Sequence, residues 1–517
     1  MEPLFDFPDY EVSHSSTTVR DPIVVFLMRE GPQLSTTVTA YLCSVLGISE
    51  VAARQRVSRA KFPVKRLGII TFPRKARFLY LEQQFGSPYY WKSLRAALTE
   101  NNTAYGLALT ALITRGGVCL EKHFPIICGS PYRQKGHLSS EVVLERLVQA
   151  GLLKRHHHDG HDLVSIAQNE GAITASTEEM YVRLMAETAL IGSVQTWLKN
   201  LNLVSFNSIR TRDDDVVPMV ATYAWDITGP SYLNPLLGAK RSDGVSPGFW
   251  VCDVYLGRVG GSAAKVFLHK CQTFRALRKV APTMQMIVAD HYTPVAFQLL
   301  KRGGVLAATV KTLFGAGTAE ALKRAAVALG NSLQGSADVE GFTSVLRQLE
   351  EQQSELGNVR GIFFEILVRD VVKANSSGSP QAQIGFLAKN KKDDEAEVDV
   401  LVVSPGKGIR FIETKAFNPN HTLPDAEVER WLEHNIPTVF RYSQNHPEWK
   451  KEQLSFEFWS TAPLSEEALS KVDTFRTKNA RRYNVVVRQK NEILSEFRET
   501  RNKKLVLILK NHFLKRP

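Results

Sequence analysis

Two apolar strands joined by a short turn constrain the C-terminal third of this 517-residue chain more than any other feature. The segments EAEVDVLVV and GIRFIETKAF flank the turn at 404–408. Alternate residues of a strand share a face, so Glu413 and Lys415 project to one side and Thr414 to the other. Asp399 comes just before the apolar run VLVV and is expected at the adjoining end of the neighbouring strand. The hairpin therefore predicts an Asp, a Glu and a Lys at one edge of a sheet.

This combination of side chains suits metal-assisted hydrolysis of a phosphodiester bond. Mg²⁺ prefers hard oxygen ligands and keeps several waters, so one or two carboxylates and a substrate phosphate can hold it. The bound ion polarises a phosphoryl oxygen and lowers the pKa of a water. A neighbouring lysine can orient that water or neutralise charge that develops in the transition state. The alternative is a structural strand that carries a surface ion pair between Glu413 and Lys415.

The arrangement resembles the PD-(D/E)XK, or restriction-endonuclease-like, superfamily, whose core is a helix, a hairpin with Asp and Glu-x-Lys, then a helix and a further strand. Glu365, in the amphipathic segment GNVRGIFFEILVRDVVKAN, matches the helical glutamate of many members. DAEVERWLEHNI, LSFEFWST and LSEEALSKVDTF follow as an expected helix, strand and helix. The resemblance covers about residues 357 to 495 and is greatest to the Mrr-type and Holliday-junction-resolvase branch. One departure is Val398, where the family name has a proline.

The resemblance implies a site and a cofactor. Glu365, Asp399, Glu413 and Lys415 are the expected catalytic residues. The three carboxylates among them are the expected ligands of Mg²⁺ or Mn²⁺, and DNA is the expected substrate.

The N-terminal segment has the pattern of a winged helix-turn-helix. Helices are expected over 21–29 and 35–46, and Ser49 is the expected N-cap of a third, EVAARQRVSRAKF. LGIITF and ARFLYLE would form the wing hairpin. In such folds the third helix enters the major groove. The expected DNA-binding residues all belong to this segment: Arg54, Arg56, Arg59 and Lys61. The alternative is a small helical domain that binds protein.

A second winged helix is predicted from 89 to 172. A helix at 105–114, strand-like GVCLEKH and FPIIC, and the helix EVVLERLVQAG precede a hairpin centred on Asp159-Gly160. The neighbouring histidines 156, 157 and 158 invite a metal hypothesis, together with His161. Consecutive strand residues face opposite ways, however, so a polar wing tip is the favoured interpretation.

The middle of the chain alternates strands and helices, which predicts an α/β domain. VVPMVATYAWDITGP, GFWVCDVYLG and MQMIVAD are strand-like, and helices are expected at 265–279 and 294–302. The domain is also interpreted as a degenerate copy of the C-terminal fold. Glu187, Asp226 and Asp253 would be its carboxylates, with Tyr255 in place of the lysine. The alternative is an unrelated α/β domain that bridges or dimerises.

The net charge and the distribution of apolar residues and cysteines limit the kinds of partner expected for this chain. The net charge of +13 favours nucleic acid or an anionic surface, and DNA is the expected partner. No apolar run approaches the ~20 residues that a membrane span needs, so no membrane partner is expected. The acidic start lacks the pattern of a secretory signal, and the five cysteines are scattered without a CxxC pair. A cytoplasmic protein is expected, and a homodimer stays open.

The patterns together predict a multidomain α/β protein: tandem winged helices at 1–88 and 89–172, a middle α/β domain at 173–345, and a PD-(D/E)XK α/β core at 346–517. The expected function is that of a metal-dependent DNA endonuclease. A role in restriction or defence against foreign DNA follows only from the habits of the family. Two rivals remain: a DNA-binding regulator or scaffold with a non-catalytic nuclease fold, and an enzyme that cleaves RNA.

Overall fold

The computed structural model describes residues 21–158, 160–167, 176–214, 216–233, 240–241, 244–277, 280–334, 337–351, 357–390, 394–417 and 422–514. The first 20 residues, Asp159 of the predicted hairpin and the predicted boundary at 172 lie outside these ranges. The protein is a mixed α/β protein with several separate sheets. The chain divides into two compact units, and the division falls between Gly106 and Leu107. No described helix combines the length and the apolar character that crossing a bilayer would require.

Three helices, a short three-stranded sheet and a fourth helix make up the first unit. The elements are α1 Pro22–Glu30, β1 Gln33–Leu34, α2 Ser35–Leu46, α3 Glu50–Arg59, β2 Val64–Leu67, β3 Phe78–Leu81 and α4 Pro88–Glu100. The sheet order is β1-β3-β2. The predicted N-cap is confirmed, because Ser49 Oγ accepts a hydrogen bond from the Ala52 amide at 3.3 Å. The strand predicted at LGIITF is wrong: pairing ends at Leu67, and Ile70 and Phe72 are buried from a loop.

Helix α4 belongs to the first unit, so this unit extends past the predicted boundary at 88. The ring of Tyr90 packs edge-on against Phe78, Tyr80 and Phe85 at centroid distances of 5.1–5.7 Å. Edge-to-face packing of this kind favours such rings beyond the area they bury. The aromatic side chains of α4 therefore hold it to the sheet of the first unit.

The second unit begins at Leu107, inside helix α5 (Ala104–Thr114), and its first part is another small segment of helices with a three-stranded sheet. Its elements are α5 Ala104–Thr114, β4 Val118–Leu120, α6 Phe124–Ile127, α7 Ser140–Gln149, β5 Leu153–His158 and β6 His161–Ile166. The sheet order is β4-β6-β5, so the predicted hairpin arms pair. The strand predicted at FPIIC is wrong, because this segment is helical, with Pro125 in its first turn where no amide donor is needed.

The middle region holds a five-stranded sheet in the order β7-β10-β13-β14-β15. Its elements are α8 Thr177–Asn200, β7 Arg210–Thr211, β8 Met219–Val220, β9 Tyr223–Ala224, β10 Ile227–Ser231, β11 Lys240–Arg241, β12 Gly244–Val245, β13 Gly248–Val259, α9 Gly261–Arg275, β14 Thr283–Tyr292, α10 Pro294–Arg302, β15 Leu306–Thr309, α11 Val310–Gln334 and α12 Val339–Glu351. VVPMVATYAWDITGP is not one strand: the turn at Ala221, with φ 54°, and the break at Trp225–Asp226 divide it into three.

The C-terminal region holds a second five-stranded sheet, in the order β16-β17-β18-β19-β20. Its elements are α13 Gly357–Asn375, β16 Gln381–Lys389, β17 Glu395–Ser404, β18 Gly408–Lys415, α14 Asp425–Arg430, α15 Ile436–Asn445, β19 Leu454–Ser460, α16 Glu466–Asn479, β20 Asn484–Arg488, α17 Lys490–Glu499 and α18 Lys503–Ile508. The turns at Trp431–Asn435 and Leu509–Leu514 are π-helical. The three elements predicted downstream of the hairpin are confirmed as helix, strand and helix.

The two five-stranded sheets have the same topology. In each, the first two pairings along the chain are antiparallel and the last two are parallel. A long helix, α8 or α13, precedes each sheet, and helices connect the third strand to the fourth and the fourth to the fifth. The middle and C-terminal sheets are therefore two versions of one arrangement of helices and strands.

One apolar core joins the two sheet regions, and it includes buried residues of α8, α11, α12 and α13. The rings of Phe342 and Phe363 stack within it at a centroid distance of 3.9 Å. The predicted boundary at 345 falls inside α12, and the shared core explains why no gap in packing marks that position.

Candidate active site

Asp399 and Glu413 lie side by side on neighbouring strands, as the hairpin pattern predicts. Val400 of β17 pairs with Ile412 of β18, so the residues that flank this pair adjoin. One carboxylate oxygen of Asp399 accepts hydrogen bonds from the Thr414 amide at 2.7 Å and the Thr414 hydroxyl at 3.2 Å. The backbone pairing of β17 with β18 ends at Val400 and Ile412. Beyond that point the Thr414 amide donates to the Asp399 side chain and not to a backbone carbonyl of β17.

Lys415 is held by two carboxylates. Its Nζ lies 3.0 Å from Glu413 Oε1 and 3.2 Å from Glu427 Oε2 of α14. Burial opposes the charge of Lys415, but the carboxylates, Glu413 first, outweigh it and raise the pKa of the ammonium. Lys415 is thus a fixed cation.

Two residues of this site were not predicted from the sequence. Glu427 pairs with Lys415, and Asn435 Nδ2 donates a hydrogen bond of 3.3 Å to Glu413 Oε2. Both follow the hairpin in the segment DAEVERWLEHNI, which the pattern identified only as a helix. Its polar residues carried no spacing that would distinguish a site-facing residue from a solvated one.

Glu365 approaches the same group from α13. Burial is the first cause that raises the pKa of its carboxyl group well above the ordinary range, and the charge of Asp399 is the second. The structure therefore brings Asp399, Glu413 and Lys415 together, and Glu365 lies within electrostatic range of all three.

The pKa of the Asp399 carboxyl group is raised as well. Burial and the neighbouring Glu413 raise the pKa of Asp399 to about 8, although Lys415 and the Thr414 amide act in the opposite direction. Close carboxylates disfavour ionisation unless a cation neutralises them. The site is thus short of positive charge despite Lys415.

The donor set fits Mg²⁺ or Mn²⁺. Glu365, Asp399 and Glu413 offer only hard oxygen atoms, and Mg²⁺ uses one or two protein carboxylates with water and substrate oxygens. In the described ranges, no three histidine, cysteine or acidic side chains form a group that could hold a metal ion. An ion at this site would need oxygens from water and substrate.

The four basic residues predicted to bind DNA lie on the exposed surface of the first unit. Helix α3 buries Ala53 and Val57 and turns its arginines outward. Arg54 forms an ion pair with Glu50 of the same helix, and Arg56 lies 3.8 Å from Asp21. Arg59 ends the helix and Lys61 follows it.

The histidines of the β5–β6 hairpin divide between two faces. His157 lies 3.0 Å from Asp162, whereas His158 and His161 are cross-strand partners. His161 Nε2 lies 2.6 Å from the carbonyl oxygen of Gly385 in β16. The hairpin therefore packs on the C-terminal sheet, which the sequence did not indicate.

The middle region carries a counterpart of the hairpin carboxylates. Asp226 Oδ2 accepts a hydrogen bond of 2.7 Å from the Val254 amide, as Asp399 does from Thr414. Asp253 takes the position of Glu413, and its Oδ1 lies 3.3 Å from the Asp226 amide. Tyr255 follows in the position of Lys415 and donates a hydrogen bond to the Thr114 carbonyl.

In this counterpart, basic side chains neutralise the carboxylates. Arg212 donates hydrogen bonds to Glu187 at 2.7 Å and to Asp226 at 3.1 Å. Lys270 Nζ lies 2.6 Å from Asp253 Oδ2. Neither cation was predicted from the sequence, since each is distant along the chain from the carboxylate it meets.

No known protein family matches this chain, and no curated protein is similar to it in sequence.

Proposed function

We propose that the C-terminal region, residues 357–514, is a metal-dependent nuclease of the PD-(D/E)XK type that hydrolyses phosphodiester bonds in DNA. The observation that carries the proposal is the cluster of Asp399, Glu413 and Lys415: the hydrogen bond from the Thr414 amide sets Asp399 beside Glu413, and Lys415 Nζ lies 3.0 Å from Glu413 Oε1. A structural ion pair of Glu413 with Lys415 would gain nothing from further carboxylates. Burial first, and then the neighbouring carboxylates, raise the pKa values of Asp399 and Glu365, and functional sites are where groups perturbed in this way cluster.

The residues that would hold Mg²⁺ or Mn²⁺ are Asp399, Glu413 and Glu365. When bound, such an ion polarises the phosphoryl oxygen and acidifies a water. The protein contributes the positions of the oxygens. The Thr414 amide fixes one oxygen of Asp399, and Asn435 fixes one of Glu413.

Lys415 is assigned to the developing negative charge. Glu413 and Glu427 hold its ammonium group from two sides, and it keeps its proton. A fixed cation can orient the attacking water or stabilise the phosphoryl oxygens in the transition state. Because the ammonium group is already in place, the protein does not have to reorganise when the transition state forms, and the full interaction lowers the barrier.

The first unit supplies DNA binding in this proposal. Arg54, Arg56, Arg59 and Lys61 are exposed on or just after α3, where a winged helix presents its recognition helix. The net charge of +13 supports a nucleic-acid partner. The segment 107–167 is assigned as a second winged helix on the same pattern of helices followed by a paired hairpin.

The middle region is assigned as a non-catalytic copy of the nuclease fold. Its support is the shared sheet topology, the matching aspartate–amide hydrogen bonds and the occupation of its carboxylates by Arg212 and Lys270. A cytoplasmic setting, a role in restriction or defence, and a homodimer belong to the same proposal.

Incubation of the purified protein with plasmid, linear duplex, single-stranded DNA and RNA tests the function, each with Mg²⁺, Mn²⁺ or EDTA. Cleavage of DNA that EDTA stops is the expected result. DNA binding without cleavage under every condition would instead establish the non-catalytic scaffold, and preferential cleavage of RNA would establish the ribonuclease.

A further inference from the structure

A cavity of about 360 Å³ lies next to the carboxylate of Glu365. Its walls come from the 107–167 segment, from α8, from α13, from β16 and β17, and from Asp213 after β7. Glu365 and Glu397 both line it. Glu397 lies two residues before Asp399 on β17, so the two side chains are on the same face of the sheet. The cavity therefore adjoins the candidate active site.

The β5–β6 hairpin forms a fixed wall of this cavity. His161 meets the Gly385 carbonyl at 2.6 Å, and Tyr181 donates a hydrogen bond of 3.3 Å to the His158 carbonyl. Gly160 approaches so closely that a Cβ atom there would lie 2.5 Å from the Leu387 carbonyl oxygen. Its φ of +82° also favours glycine. The tip of the hairpin is thus built to dock on β16.

The lining suits a flat aromatic ligand with a charged end. The ring of Tyr181 lies 5.7 Å from that of His161 and 6.4 Å from that of His158, which gives an aromatic wall. Apolar side chains adjoin it: Leu184, Met185, Ile362 and Ile384. Lys122 and Arg369 bring positive charge to the lining, and Asp213, Glu365 and Glu397 bring negative charge.

Polar groups suited to the edge of a base are present as well. Thr188 and Gln383 line the cavity. His123 also lines it, and in the described part of the chain neither of its ring nitrogens has a hydrogen-bond partner. Neutral imidazole offers one donor and one acceptor, as do the edges of nucleobases.

We propose that this cavity receives one unpaired nucleotide of the DNA substrate, with the base against Tyr181 and the sugar–phosphate directed toward Glu365. The proposal rests on the nuclease function proposed above and names its substrate class: a single strand, a strand end or a nucleotide turned out of a duplex. In an intact duplex each base is stacked and paired inside the helix, so it cannot enter a cavity of about 360 Å³ without first leaving the stack. Single-stranded nucleic acids are bound in this way by aromatic side chains.

Binding in EDTA, without turnover, tests the cavity independently of cleavage. The full-length protein is titrated into single-stranded DNA that carries 2-aminopurine, into the matched duplex, and into a duplex with 2-aminopurine as its single unpaired base. Stacking on Tyr181 should quench the fluorescence of the unpaired base but not that of the paired one. Tyr181→Ala should remove the quench and weaken binding of unpaired DNA roughly tenfold, the scale of one base–aromatic stack. Tyr181→Phe, which keeps the ring, should restore both.

Tyr232→Ala is the matched control, since Tyr232 is 62% exposed and does not line the cavity. Loss of the quench in Tyr181→Ala alone supports the pocket even if no metal-dependent cleavage is found, in which case only the nuclease proposal fails. An unchanged quench in Tyr181→Ala, or equal quenching of paired and unpaired bases, overturns the pocket even if the protein cleaves DNA.

Discussion

Arg212 donates a hydrogen bond of 3.1 Å to Asp226, the counterpart in the middle region of Asp399. The same guanidinium group also reaches Glu187, the counterpart of Glu365. Burial opposes its charge, but Asp226 and Glu187 outweigh burial and raise the pKa of Arg212. A side-chain cation thus sits between carboxylates whose equivalents in the C-terminal region are assigned to a metal ion. Arg212 thus occupies the place that a metal ion is proposed to take in the C-terminal region, and for this reason we assign the middle copy as non-catalytic.

The first prediction concerns this internal cation. Arg212→Met should remove the guanidinium group that hydrogen-bonds two buried carboxylates and destabilise the protein by about 3–5 kcal/mol, the usual cost of breaking a buried pair. Urea unfolding of Arg212→Met measures this loss of stability.

Asp226→Asn and Asp253→Asn should keep DNA cleavage at the wild-type rate in protein that remains folded, and cleavage assays measure this rate. Absence of cleavage in folded Asp253→Asn protein would show that the middle copy is catalytic.

The second prediction concerns the proposed metal ligands. Asp399→Asn and Glu413→Gln should abolish cleavage in Mg²⁺ and leave DNA binding in EDTA nearly unchanged, because the change is confined to oxygens assigned to the ion. Glu466→Gln, an exposed residue at the start of α16, serves as the control and should cleave normally. Wild-type rates in both site variants would reject the assignment.

The third prediction separates charge from metal binding. Lys415→Met should lower kcat by about 10²- to 10³-fold, the scale found for one transition-state donor, with little change in the Mg²⁺ concentration needed for half-maximal rate. Glu427→Gln should cause a smaller decrease, since Glu413 still holds the ammonium at 3.0 Å. Single-turnover cleavage as a function of Mg²⁺ gives both quantities. A large shift in the metal requirement of Lys415→Met, with the maximal rate unchanged, would contradict this role.

The fourth prediction concerns pH. The pKa of Asp399 rises from 3.8 to about 8 on folding, because of burial and Glu413. The unfolded chain therefore loses this proton first as the pH rises, so the contribution of Asp399 to stability is present below about pH 4 and is lost toward pH 8. In EDTA, the stability of Asp399→Asn relative to wild type should increase across this range. Thermal melts at several pH values measure the difference, and a difference independent of pH would show that Asp399 ionises normally.

The fifth prediction tests the first unit. Alanine in place of Arg54, Arg56 and Arg59 should weaken DNA binding and flatten its dependence on salt, by about one in the log–log slope for each phosphate that is no longer neutralised. Binding isotherms from about 50 to 200 mM salt measure the slope. A triple variant with unchanged affinity and slope would identify this unit as a protein-binding module.

Local sequence patterns were sufficient to predict several elements of the fold. Ser49 caps α3, the alternation in GIRFIETK puts Glu413 and Lys415 on one face, and the turn at 404–408 pairs β17 with β18. These features depend on residues that are close in sequence, so period and capping chemistry are sufficient to predict them. The errors were local ambiguities of the same kind: FPIIC has strand-like composition, but its proline also suits the first turn of a helix.

The sequence by itself determined the hairpin, its carboxylates and its lysine, and it suggested Glu365 through resemblance. Only the tertiary structure brought Glu427 to Lys415, Arg212 to Asp226 and the β5–β6 hairpin to β16. Each of these interactions joins elements that are separate along the chain. Their formation depends on how helices and sheets pack, because side chains of ordinary polar composition acquire a partner only when packing removes them from water together.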